Sequence, residues 1–327
     1  MKNIVIIGGG TGTFTLLSGL RQFPTNNSVI VSTADDGGST GKLREELNVI
    51  PPGDIRQCLV GLSYTDEEVR NLFSYRFAKG SLAGHTVGNI IITALEKSTG
   101  SIEKAIVTAA KMLNVRGEVV PVTLYPTTLT AVLANGKRIV GEHNIDELPA
   151  SQQRAQIKSL DLTPKKSANP RAIRLINDAH AIVFGPGDLF TSIIPNLLVK
   201  GMKEAIKKSK AQKIYVANIM TKHGQTDDFK CSDCAGALQK YLGAKLDYVV
   251  VNTAKPDAKT VREYAKEKAA VMVPDMEALK KQSIKVAAEN LISKKPVVKV
   301  PGDSLRRSLA RHDSEKLARI IYDILND

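Results

Sequence analysis

The sequence contains no tryptophan and only seven phenylalanines and eight tyrosines in 327 residues. Proteins that bind single-stranded nucleic acid stack bases on aromatic side chains, and few such platforms exist here. Cysteine is almost as scarce. Cys58, Cys231 and Cys234 form an odd, sparse set, which excludes the disulfide framework of a small secreted domain. Only one cysteine lies outside Cys231-x-x-Cys234, so a four-thiolate zinc site is excluded as well. The flanks are unlike those of a thioredoxin-type redox pair, and Cys231 and Cys234 read as a helix start with semi-buried thiols. No apolar run approaches the roughly 20 residues that a membrane span needs. The run at 4–7 is too short for a signal-peptide core, and no small-residue cleavage site follows. The expectation is a cytoplasmic protein without a membrane span. Repeats and low-complexity linkers are missing too.

What is present is a globular composition, 43% hydrophobic, with a net charge of +13. The lysines are scattered in pairs such as Lys165-Lys166, Lys207-Lys208 and Lys280-Lys281. No helix-turn-helix or zinc-finger spacing accompanies them, so they read as a solvated surface without a nucleic-acid partner. Such a field would attract an anionic metabolite.

Hydrophobic periodicity predicts strands at 1–7, 28–34, 180–184, 213–218 and 247–252. Helices are predicted over 54–62, 66–77, 87–98 and 102–112, with a last helix starting near Asp313. Strands alternating with helices imply an α/β fold. The expected architecture is a three-layer, Rossmann-like, mostly parallel sheet with helices on both faces. Residues 117–145 alternate differently around Asn135-Gly136, a dipeptide suited to a hairpin turn. They predict a small antiparallel β-insert within a single domain spanning 1–327.

Six polar segments punctuate this pattern. Gly8-Gly9-Gly10-Thr11-Gly12-Thr13 joins a strand to a helix, where glycines admit a phosphate and the helix N-terminus offers free N–H groups. The dinucleotide fingerprint fits imperfectly, because its last glycine falls on Thr13 or Thr15. An NAD-dependent oxidoreductase is therefore an outlying alternative. Lys42 is followed by Leu43 and does not form a Walker motif. Asp35 and Asp36, before Gly37-Gly38, suit a ribose hydroxyl or a hydrated Mg²⁺ beside a phosphate. In Pro51-Pro52-Gly53-Asp54-Ile55-Arg56, Asp54 occupies an N-cap position and Arg56 suits a phosphate. Gly84-His85-Thr86-Val87-Gly88-Asn89 opens another helix, with His85 and Asn89 as candidates. Gly185-Pro186-Gly187-Asp188, followed by Thr191 and Ser192, is a second anion-ready strand end. The loop 218–227 presents Asn218, Thr221 and Thr226 as donors and acceptors for a base or sugar.

In their joint order these segments resemble the CofD/YvcK superfamily, across nearly the whole chain. The branch marks are Gly-Gly-Gly-Thr-Gly at 8–12, Ala-Asp-Asp-Gly-Gly-Ser at 34–39, Leu-Arg-Glu-Glu-Leu at 43–47 and Pro-Pro-Gly-Asp-Ile-Arg at 51–56. Gly-His-x-x-Gly-Asn at 84–89, Gly-Pro-Gly-x-Leu at 185–189, Thr-Ser-Ile-Ile-Pro-Asn-Leu-Leu-Val at 191–199 and Arg-His-Asp at 311–313 complete the set. They fit the gluconeogenesis-factor (YvcK-like) branch. That resemblance implies a CofD-like fold with a cleft at the sheet's carboxyl edge. It also implies a regulatory protein that binds a UDP-sugar and is linked to central carbon metabolism, cell shape and wall synthesis. A protein partner in wall synthesis and a homodimer accord with it.

The related transferase branch moves a phospholactyl group from a guanylylated donor to a deazaflavin alcohol with Mg²⁺. A 2-phospho-L-lactate transferase-like enzyme is therefore the alternative, with Asp36 and Asp54 as catalytic and metal candidates. The candidate ligand contacts are Gly9, Gly10, Thr11, Gly12, Asp35, Asp36, Arg56, His85, Asn89, Gly185, Gly187, Thr191, Ser192, Asn218, Thr221 and Thr226. The chain departs from the branch pattern at Asp188 for Ser, Gln225 for Glu and Cys234 for His, and Thr86-Val87 replaces a Ser/Pro-Phe pair. The altered loop at 221–227 leaves base and sugar open.

Overall fold

Four consecutive aliphatic residues at 4–7 are all buried, because β1 (Lys2–Ile7) lies inside a sheet covered on both faces. Successive side chains alternate between faces. Val5 and Ile7 join one hydrophobic cluster, and Ile4 and Ile6 join the other. The computed structural model describes residues 1–295 and 309–326. The expected single domain over 1–327 thus includes 296–308 and 327, which lie outside the described residues.

The first half supplies α1 (Gly10–Leu20), β2 (Thr25–Val31), α2 (Gly38–Leu47), α3 (Pro52–Gly61) and α4 (Glu67–Ser74). Next come α5 (Val87–Thr99), α6 (Ile102–Met112) and β3 (Glu118–Pro121). An insert carries β4 (Thr128–Leu133), β5 (Arg138–Val140), α7 (Glu142–Asp146) and β6 (Ile157–Thr163). The chain returns through α8 (Pro170–Asp178) and β7 (Ala181–Phe184). A π turn, Leu189–Ile193, leads into α9 (Ile194–Leu197), followed by α10 (Met202–Lys208) and β8 (Gln212–Val216). The remaining elements are α11 (Cys231–Leu242), β9 (Tyr248–Asn252), α12 (Ala258–Lys266), α13 (Met276–Lys281), β10 (Lys285–Glu289) and α14 (Ser314–Ile324).

The main sheet is parallel, in the order β10-β9-β8-β7-β1-β2-β3. From β1 the chain builds outward on one side through β2 and β3. It then returns to β7 and builds outward on the other. The crevice between β1 and β7 is therefore the topological switch point, where open α/β sheets bind ligands at their carboxyl ends.

The second antiparallel sheet differs in extent from the insert expected at 117–145. Residues 118–121 pair with β2 as the edge of the main sheet, and the small sheet runs β5-β4-β6, from Thr128 to Thr163. Val119 and Val120 are buried against the main sheet, so local alternation alone misplaced that strand. At the turn only Gly136 takes a positive φ, +83°, and its N–H bonds to the Leu133 carbonyl at 2.9 Å. The α14 start agrees with expectation: the Asp313 carboxylate accepts from the N–H groups of Glu315 and Lys316, each at 3.1 Å.

Cys231 and Cys234 lie three residues apart on the buried face of α11, each 2% exposed or less. Burial pushes both thiols up to about 12, so they are unreactive packing groups. Among the described residues no helix is long and apolar enough to cross a membrane.

Candidate functional site

Helix α1 begins without a cap of its own. Gly9 supplies no side chain and the first turn holds no acid. A carboxylate arrives instead from α3: Asp54 Oδ1 accepts the Gly10 N–H at 2.8 Å. Asp54 is thus not the N-cap of its own helix, where Pro51 sits, but an anion placed on the end of another. Gly9 is required for this approach, since a Cβ there would overlap the Asp54 carboxylate. Gly10 takes φ +69° with open space beside it. Helix geometry leaves the N–H groups of Thr11 and Gly12 as the next donors for an external anion.

The loop after β7 faces this turn across the switch point. A Cβ on Gly12 would lie 2.5 Å from the Pro186 carbonyl oxygen, and one on Gly187 would lie 3.6 Å from the Gly9 carbonyl oxygen. Gly185 adopts φ +79°. The Asn218 side chain donates to the Gly187 carbonyl at 3.1 Å, tying the end of β8 to the same loop. Ser192 donates its backbone N–H to the Asp188 carbonyl at 2.8 Å within the π turn.

On the β2 side Asp35 accepts the Gly37 N–H at 3.0 Å. Burial first, and the charge of Asp54 second, push its carboxyl up to about 7. Burial also raises Asp54, against the opposing Gly10 N–H and Arg56. Asp36 turns away from this pair. Its two carboxylate oxygens accept the N–H groups of Glu142 at 3.2 Å and His143 at 2.7 Å, and so cap α7. Behind them runs a polar chain. Arg56 Nε donates to Asn89 Oδ1 at 2.9 Å, Asn89 Nδ2 donates to Ser39 Oγ at 3.2 Å, and Ser39 Oγ meets His85 Nδ1 at 3.0 Å.

The other polar candidates are engaged internally. Thr191 donates to Asp146 at 3.1 Å. Thr221 Oγ1 accepts from the Ala270 N–H, and Thr226 Oγ1 accepts from the Lys222 N–H, both at 2.8 Å. These two threonines hold their loop in shape. Thr221 and Thr226 are both buried, so it is the loop's backbone that they fix.

Three further groups belong to the site and escape sequence reasoning. Lys222 Nζ pairs with Asp146 at 2.9 Å and lies 3.7 Å from Asp188. Burial opposes ionisation of Asp146, but Lys222, Gln225 and Thr191 outweigh it and hold its carboxyl below the usual range. Asp188 keeps the weaker contact, and burial pushes it up to about 6. Glu142 is raised well above the carboxylate range, by burial and then by Asp35, Asp146, Asp54 and Asp36. Lys222 stood in a segment already singled out. Glu142 and Asp146 carried no signal, because only the fold brings α7 from the insert over Asp36, 106 residues earlier.

Residues 4–292 match the family described as 2-phospho-L-lactate transferase CofD. The chain belongs to the CofD family. A protein of Bacillus subtilis named gluconeogenesis factor is 38% identical over 99% of this chain and 98% of its own length. One of the same name from Halalkalibacterium halodurans is 37% identical over 98% of this chain and 96% of its own. Among solved structures, a member of the UPF0052 family from Bacillus halodurans superposes with a TM-score of 0.89 at 36% identity, covering 98% of each chain. The full-length CofD-like α/β fold expected from the motifs is thereby established.

Proposed function

We propose that the chain is a gluconeogenesis factor that binds a UDP-sugar in the carboxyl-edge cleft and acts as a regulatory protein. In this reading it reports ligand occupancy to a partner in wall synthesis and so influences cell shape. The observation that carries the reading is the pair of glycine loops facing each other across the β1/β7 switch point. The diphosphate lies over the α1 N-terminus, with the sugar or base toward the loop at 218–227. The names of the full-length relatives favour a factor over an enzyme.

The residues also fit a Mg²⁺ ion accompanying the phosphates. Burial raises the carboxyls of Asp35, Asp54 and Glu142, and neighbouring carboxylates add to the rise at Asp35 and Glu142, so a cation would favour their ionised forms. Among the described residues no three His, Cys, Asp or Glu side chains are grouped to hold a metal by themselves. That arrangement suits a water-rich ion held by one or two carboxylates and the ligand's phosphate. Asp35 and Asp54 are the better placed pair, since Asp36 is occupied by α7.

Calorimetry with UDP-N-acetylglucosamine tests the site through two variants at Gly10. Asparagine tolerates positive φ, so Gly10→Asn keeps the backbone. Gly10→Asp adds a negative charge where the diphosphate lies. Binding that survives in Gly10→Asn and weakens at least about tenfold in Gly10→Asp, about 1.4 kcal/mol, supports the assignment. Equal affinity in all three proteins contradicts it.

The second reading, a phospholactate transferase, is favoured by the family match. Its assay is Mg²⁺-dependent transfer from a guanylylated phospholactate donor. Product that disappears in Asp54→Ala would establish it, and the regulatory reading expects none.

A further inference from the structure

The amino edge of the sheet, at the far end of β1 from the glycine loops, holds a cavity of about 920 Å³. Four guanidinium groups line it, from Arg21, Arg116, Arg171 and Arg174, against the two carboxylates of Glu118 and Asp178. Glu118 is taken by Arg171 through a two-pronged pair at 2.6 and 2.7 Å. Among the described residues no carboxylate lies within ion-pair distance of Arg21, Arg116 or Arg174. Arg21 is only partly exposed, and burial first and the nearby Arg70 second lower its pKa.

Two of the groups, Arg21 and Arg116, are also held in place. Arg21 Nη1 donates to the Ser63 carbonyl at 2.7 Å, and the Tyr64 hydroxyl donates to the Arg21 carbonyl. The Arg116 guanidinium lies 4.7 Å from the centre of the Tyr64 ring. Asn27 Oδ1 accepts from Thr25, leaving its Nδ2 donors for the cavity. Guanidinium groups that line one cavity without counter-ions favour a phosphate, which they can bind in forked geometry. The volume lies within the range of cavities that hold small organic ligands.

We propose that this amino-edge cavity binds a small organic phosphate, with Arg21, Arg116 and Arg174 on the phosphate and the Asn27 amide on a hydroxyl group. The site is separate from the carboxyl-edge cleft. Helix α1 joins them: Gly10 opens it at the cleft, and Arg21 is its C-cap at the cavity, about 17 Å along the axis.

The test is calorimetric titration of inorganic pyrophosphate without Mg²⁺ into four full-length proteins. These are wild type, Gly10→Asp, Arg116→Glu/Arg174→Glu, and the triple variant. Arg116 and Arg174 are exposed, and unchanged melting of the double variant without ligand checks its fold. The proposal expects Gly10→Asp to retain a binding event that weakens at least about tenfold in the triple variant. Loss of all binding in Gly10→Asp, or equal affinity in Gly10→Asp and the triple variant, would overturn it.

Discussion

Asp35 has two competing demands on its proton. Its carboxyl is raised to about 7, above the 3.8 of an unfolded chain. The folded state therefore holds this proton more tightly. Its stabilising contribution is complete below about pH 4 and is lost as pH rises through 7. Asp35→Asn removes that dependence. Urea unfolding at pH 5 and pH 8 should show the variant gaining on wild type by about 2–3 kcal/mol across the interval. His312 behaves in the opposite sense. Burial, opposed by a hydrogen bond to Ala217, depresses it to about 4 from 6.5. Its contribution is present above pH 6.5 and is lost as pH falls through 4. His312→Gln should lose less stability than wild type between pH 7 and pH 5, by about 1–2 kcal/mol in the same assay.

Helix α1 is held at both ends by close approaches that only glycine permits. A Cβ on Gly19 would overlap the Ser314 carbonyl oxygen at the start of α14, which is backbone and has little freedom to yield. Gly19→Ala should therefore cost about 2 kcal/mol or more, read as a lowered denaturation midpoint. Elements whose burial pattern is local were legible in the sequence. β1, the helices at 87–99 and 102–112, and the α14 cap are examples, because each carries its own periodicity or cap. Three strands were not, and one of them, β6, lies beyond the end of the insert expected at 117–145. β3 was grouped with the insert, and β10 has only intermediate and exposed residues, so it forms by pairing with β9 rather than by hydrophobic alternation. The cleft followed the same division. The glycine loops and Asp35 sit at strand ends and were visible. The capping of α1 by Asp54 and of α7 by Asp36 spans 44 and 106 residues, and nothing in the local sequence of either acid distinguishes it from an ordinary turn acid.

For the whole molecule, the sheet divides the polar features between two edges. The carboxyl edge gathers the glycine loops and an excess of partly buried carboxylates, and the amino edge gathers arginines around a cavity. In the proposed reading, phosphate at the cleft is met by backbone N–H groups and an accompanying cation, because Arg56 and Lys222 already hold partners. The measurement that tests this most directly is a thermal-shift panel of the purified protein against UDP-glucose, UDP-N-acetylglucosamine, GDP and NAD, each with and without Mg²⁺. Ligand at about a hundred times its dissociation constant adds nearly 3 kcal/mol, a rise of a few degrees. A rise selective for the UDP-sugars, larger with Mg²⁺, is the predicted result. A rise with GDP or NAD and none with either UDP-sugar would contradict it.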